Sequence, residues 1–279
     1  MRTMAPADWA RLRHPDEDRF VSALSVLVAP LLAAASAVPL DGKSRPGATL
    51  SGDGAPRMTE AVRWAAQKLD VLVPELFTRN DQLSPLRFVN GRAGRMIKPA
   101  LTIGIPLLGD RRRLGELLPP LVLQMAMLRP DRILRLLVSD VDVLTMLLRA
   151  TVSVACDEPA SAELAVTTAA LKHSLSPLGL DQLGVIGRRL RDQGRDLGRV
   201  AAEWVRGADL TAARAALVLS NDLPRTLAAV EACAFDPAGL RQALGELVWV
   251  SVTDEVWVTR ERLIEGAREA VQPASHARR

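Results

Sequence analysis

The side chains that carry acid–base and metal chemistry form a short list, and this sequence is sparing with most of them. It holds three histidines, His14, His173 and His276, and two cysteines, Cys156 and Cys233. His14 and His276 stand near the ends of the chain, and His173 follows Lys172 where a helical pattern stops, as a surface or capping residue would. No histidine or cysteine has a neighbour at zinc-site spacing. Two carboxylates adjoin apolar stretches, Glu116 and Asp209, and could do acid–base work only if the fold brought them together. An ion pair from Asp209 to Arg214 is the plainer expectation. A phosphate-binding glycine loop, a nucleophile elbow and a dinucleotide fingerprint are all missing from the sequence. Two arginine-bearing stretches could meet an anion: Asn90-Gly91-Arg92-Ala93-Gly94-Arg95, which reads first as a hairpin turn, and Arg111-Arg112-Arg113, which reads first as a solvated loop.

Composition narrows the class. The chain has 279 residues, 48% of them apolar, enough for a sizeable core. Tyrosine is absent and aromatics are few, so leucine, valine and alanine must fill that core and favour helices. The formal charge of +4, from 36 basic and 32 acidic residues, is too mild for a nucleic-acid footprint. Two distant cysteines suit a reducing compartment, and the charged first twenty residues do not read as a signal peptide, so the expected location is cytoplasmic. The uncharged run from Val21 to Leu40 approaches the length of a membrane span, but its serines, its alanines and Pro30 favour a buried helix.

The elements that must position these residues follow from periodicity. His14-Pro15-Asp16-Glu17-Asp18 reads as a surface turn before a helix from about Phe20 to Ala37, bent at Pro30. Residues 40–57 read as an exposed loop outside the core. Thr59 is the expected cap of a helix from Glu60 to Leu69. A small sheet is expected over about 70–105, with Asn90-Gly91 as its turn and Pro99 marking an edge strand. Leu114 to Leu128 follows as the central helix, closed by Arg129-Pro130. Further helices are expected to the end of the chain, with Ser176 to Gly179 ending one, Gly207 bending another and Pro237 starting one. Residues 272–279 read as a disordered tail. The expected fold is α+β and mostly helical, one domain over 1–279.

This order of elements resembles a family. Ala65-Ala66 on a helix, Val73-Pro74-Glu75-Leu76, a strand ending at Asn90, a second strand, a glycine-containing loop and a helix with Glu116-Leu117 resemble the gluzincin zinc peptidases of the CAAX-prenyl-protease and heat-shock-protease type. His14-Pro15, Leu128-Arg129-Pro130, Asp209 to Leu217 and Leu219-Ser220-Asn221-Asp222-Leu223 more closely resemble the degenerate peptidase-like region at the C-terminal end of myxobacterial tetratricopeptide-repeat proteins. The resemblance spans nearly the whole chain and implies a zincin-like architecture. It places the first metal histidine on Leu123, the glutamate base on Gln124 and the second histidine on Met127. The downstream glutamate ligand falls on Asp209, a later aspartate on Ala213, and an arginine remains as Arg214. Leucine offers no donor, methionine only a weak soft one, and glutamine cannot take a proton from zinc-bound water.

The resemblance therefore implies a vestigial site with no catalytic residue, no metal and no cofactor. The expected function is a non-catalytic domain for protein–protein interaction or regulation, with a protein partner that could itself bear tetratricopeptide repeats. A peptide strand added along the sheet edge is one way to bind it. The alternatives are an unrecognised hydrolase, and a membrane-associated protein anchored through residues 21–40. Without any family, Leu123, Met125 and Met127 still read as core residues of a buried helix.

Overall fold

Long-range order in this molecule is set by one helix. In the computed structural model, which describes residues 1–41, 45–51, 54–107, 114–233 and 239–271, it spans Leu197–Ser220. At 24 residues it is about 36 Å long. Around it the described chain runs α1 (Pro6–Leu12), α2 (Arg19–Ser36), β1 (Val38–Pro39), β2 (Ala48–Thr49), α3 (Ala55–Leu69), β3 (Glu75–Arg79), β4 (Leu86–Ala93) and β5 (Met96–Gly104). A 3-10 turn, Ile105–Leu107, leads on to α4 (Leu114–Ala126), α5 (Leu134–Leu137), α6 (Val141–Ala155), α7 (Ala162–Ser174) and α8 (Pro177–Asp192). The long helix is α9, followed by α10 (Leu223–Cys233), α11 (Leu240–Ser251) and α12 (Asp254–Val271). The fold is thus mostly helical, with one small five-stranded sheet against a helical bundle.

Local chemistry explains most boundaries. Asp18 accepts from the backbone N–H groups of Phe20 and Val21 to start α2, and Asp196 accepts from Arg199 to start α9. Ser176 accepts from Gly179, and Pro177 occupies the first turn of α8, where its missing N–H costs nothing. Ser176 to Gly179 therefore opens a helix, where the sequence pattern read as the end of one. Thr59 lies inside α3 and donates to Ala55 O at 2.8 Å, so the helix starts earlier than that supposed cap. In α4, Pro119 and Pro120 remove two backbone donors, and the helix is kept by burial of Leu117, Leu121, Val122, Met125 and Ala126.

The sheet order is β1-β4-β5-β3-β2. β4 and β5 form an antiparallel hairpin with Ala93 opposite Met96, so the turn is Gly94-Arg95 and not Asn90-Gly91, which lie within β4. Gly94 holds φ at 60°, the left-handed value a tight turn needs, and Asn90 and Gly91 have no such value. β5 is central, which corrects the expectation from Pro99. The proline faces Asn90 on the β4 side, while the pairing with β3 begins only at Ala100, so no ladder bond is lost. Residues 40–57 are not wholly outside the fold, since Ala48–Thr49 pairs with β3 and Leu40 is buried.

Two apolar cores meet on α9. Its first half, through Val200, Ala201, Trp204 and Val205, packs with α2, α6 and α8. Its second half, from Ala208 to Leu219, packs with α1, α3, α4 and strands of the sheet. No break separates the halves. Gly207 sits between them because the backbone of the 14–18 turn crosses there, and a Cβ would lie 2.4 Å from the Glu17 nitrogen.

Candidate functional site

A cleft of about 660 Å³ opens where α4 lies along α9, closed on its other sides by the start of α6 and by α10 and α11. Leu123 comes from α4 and Met127 from the turn directly after it, four residues on, while Asp209, Leu210 and Ala213 come from α9, with Asp209 and Ala213 one helical turn apart. Leu240 and Ala243 of α11 face them. This makes an apolar floor. Charge is confined to the walls: Arg199 donates to Glu203 at 2.7 Å, and Glu203 also pairs with Arg195.

Asp209 is held within this cleft by Arg135. The guanidinium Nε and Nη2 each lie 3.1 Å from one carboxylate oxygen, a bidentate pair in which the arginine is buried. The expected partner, Arg214, is elsewhere, donating to the Leu12 carbonyl at 3.4 Å. Arginine 135 was not legible as a site residue, although a charge inside the apolar run Ile133-Leu134-Arg135-Leu136-Leu137 is the signal of a buried pair. The carboxylates Glu116 and Asp209 are bound apart from each other, for Glu116 meets Arg225 at 3.7 Å.

Of the positions singled out by the family resemblance, Leu123, Met127 and Asp209 line the same cleft, together with Ala213. Gln124 is buried near the thiol of Cys233 on α10, and its Oε1 has no hydrogen-bond partner among the described residues. Burial pushes that thiol up to about 11, so at neutral pH it is protonated and a poor nucleophile. Cys233 and Cys156 are both free. The donor set at the aligned positions is one carboxylate, one amide and a thioether, which does not fit zinc. Among the described residues, no three His, Cys, Asp or Glu side chains converge. Arg111, Arg112 and Arg113 lie outside the described residues, as do Pro237, His276 and the tail.

Beside the cleft, the turn at 14–18 is the largest departure from the sequence reading. His14 is only 8% exposed and Glu17 only 3%, so this is a buried polar turn. Glu17 faces the guanidinium of Arg132 at 3.0 and 3.2 Å and accepts from Thr211 at 2.6 Å. Ser22 donates to Glu17 at 3.4 Å and accepts from the indole N–H of Trp204 at 3.0 Å. Arg132 and Arg129 both lie over the Trp9 ring. His14 Nδ1 accepts the Asp16 N–H at 3.1 Å, which leaves Nε2 to donate to Glu246 at 2.9 Å. Glu246 also accepts from Gln242, which lines the cleft. Burial and the Arg214 charge hold the His14 pKa below its usual value, outweighing the opposite pull of Asp16 and Glu246.

No protein family, curated protein or solved structure matches this chain. The arrangement itself must carry the functional reading. The cleft combines an apolar floor, ion-paired walls and one carboxylate paired with a buried arginine.

Proposed function

We propose that the chain is a peptidase-like domain without metal or catalysis, which holds a polypeptide segment of a protein partner in the cleft between α4 and α9. The observation that carries this reading is that Leu123, Met127, Asp209 and Ala213 line one cleft. A metallopeptidase needs its two ligand histidines one helical turn apart, with a third ligand facing them from another helix. The small sheet lies ahead of α4 in the chain, in keeping with a zincin-like ancestry. Apolar side chains now stand where ligands would be, and they favour retention of an apolar partner residue over chemistry on it. Both sheet edges carry two-residue strands, so the cleft is a better seat for the segment than an added strand. A cytoplasmic partner, including one that bears tetratricopeptide repeats, fits this role.

Restoring the ligands tests the reading. The variant Leu123→His, Gln124→Glu, Met127→His, Asp209→Glu should bind about one zinc per chain and melt at a chelator-dependent temperature, while the natural sequence should do neither. A folded variant that takes up no zinc would remove the ancestry. For the binding role, a labelled extended peptide with leucine side chains should gain anisotropy with the natural chain and lose it with Ala213→Trp, which fills the floor. Equal binding by both would move the partner site away from the cleft.

A further inference from the structure

The β4–β5 hairpin projects beyond the rest of the sheet. From Met96 to Pro99 β5 has no partner on its β3 side, since that pairing starts at Ala100, and on the other side β1 reaches only to Arg92 of β4, so the last pair, Ala93 with Met96, and its turn stand clear of the other strands. A hairpin end ordinarily carries polar turn residues. Here Met96 is 62% exposed and Ile97 is exposed beside it. Arg92 and Arg95 flank them, exposed and, among the described residues, without an ion pair, and Lys98 meets Glu75 at 3.1 Å. No carboxylate interrupts the segment from Arg92 to Lys98.

A second surface joins this tip. Asn90 of β4 donates to Ala33 O at 2.8 Å and to Ser36 Oγ at 2.9 Å, which fixes the C-terminal end of α2 to the hairpin. One face of α2 is buried through Val21, Leu24, Val28 and Ala29. Its exposed positions include Val26, Pro30, Ala34 and Ala35, and none of its exposed residues after Arg19 is charged. A helix on the surface of a globular protein normally turns charged residues outward. Just past its end, Val38 is exposed as well.

We infer that this end of the molecule, the hairpin tip with the uncharged outer face at the end of α2, rests on a bilayer surface rich in anionic lipid. Aliphatic side chains at the tip suit shallow insertion among acyl chains, and the arginines beside them suit lipid phosphates. A nucleic-acid strand is the weaker occupant, because the tip has no aromatic ring on which a base could stack. The surface is separate from the cleft, and the inference stands or falls without it. With one face of α2 committed to the core, this is attachment to a surface and not a span.

Sedimentation of the full chain with vesicles tests it. The protein should pellet with phosphatidylcholine vesicles containing phosphatidylglycerol and stay in solution with phosphatidylcholine alone, and added salt should release it. Arg92→Gln with Arg95→Gln should lower the partition coefficient about thirtyfold. Met96→Ser with Ile97→Ser should also release the protein, and, these residues being exposed, both double variants should keep the melting temperature of the parent. Failure to pellet with anionic vesicles, or unchanged pelleting by both double variants, would overturn the inference. So would binding of the parent and the Met96→Ser, Ile97→Ser variant alike to a DNA oligonucleotide as tightly as to vesicles, which would mark a plain polyanion surface.

Discussion

His14 sits where its protonation works against the fold. Its Nδ1 already accepts a backbone N–H that protonation would displace, and burial together with the Arg214 charge outweighs the pull of Asp16, whose carboxylate lies 3.6 Å from Nδ1. The folded pKa is therefore below the usual 6.5. Above pH 6.5 both folded and unfolded chains hold a neutral ring and His14 has no effect on the pH slope. As pH falls below 6.5 the unfolded chain takes up the proton first, so stability declines until the folded pKa is passed. Urea midpoints should fall between pH 7.5 and pH 5.5, and His14→Gln should flatten that slope. An identical slope in the variant would assign the pH effect to other groups. None of this was legible beforehand. Five largely polar residues in a row read as a surface turn, and their partners Thr211, Arg132 and Glu246 are more than a hundred positions away.

At the scale of elements, the helices were more legible than their joints. The apolar spacing of α3, α4 and α6 is strong enough to override two prolines in α4, because those faces are buried on arrival. Joints depend on what approaches from elsewhere. Asn90-Gly91 resembles a turn but lies in a paired strand, and Gly207 resembles a hinge but lies in an unbroken helix. For Gly207 the physical reason gives a sign. In a free helix, alanine would stabilise by about 1 kcal/mol over glycine. Here its Cβ would meet backbone atoms of Asp16 and Glu17 at under 3 Å, so the turn must lift off. Gly207→Ala should destabilise, by about 2–4 kcal/mol in denaturant melts, as for other overpacked and broken buried contacts. A neutral or stabilised variant would mean that the turn is not seated on α9. The cleft shows the same division: the spacing of Leu123 and Met127 was plain in the sequence, whereas the Arg135 that holds Asp209 arrives from another helix.

For the whole molecule, the seam between the two cores is polar and buried. Glu17 and Arg132 occupy it, with Ser22 and Thr211 satisfying further lone pairs. A buried pair of this kind adds little or no net stability over a well-packed apolar substitute, but removing one member strands a charge. Glu17→Ala should cost about 3–5 kcal/mol. Because α9 runs through both cores, that loss should shift a single transition, with tryptophan fluorescence and far-ultraviolet dichroism moving together. Two separated transitions would show that each core melts by itself. The mostly helical class and the small sheet were legible from composition and periodicity, and the seam was not, since it joins segments at opposite ends of the chain.

That separation bears on how the molecule is made. Glu17 and Thr211 are 194 positions apart, and the Trp204 contact to Ser22 spans 182. At about 5–20 residues per second, roughly 10–40 s pass between synthesis of the turn and synthesis of its seat on α9. During that interval α2, the most apolar helix of its length, has emerged without the helix that later covers it. A segment made long before its seat is thus late to find its place, and the newborn protein passes through a stage in which its stickiest helix is bare.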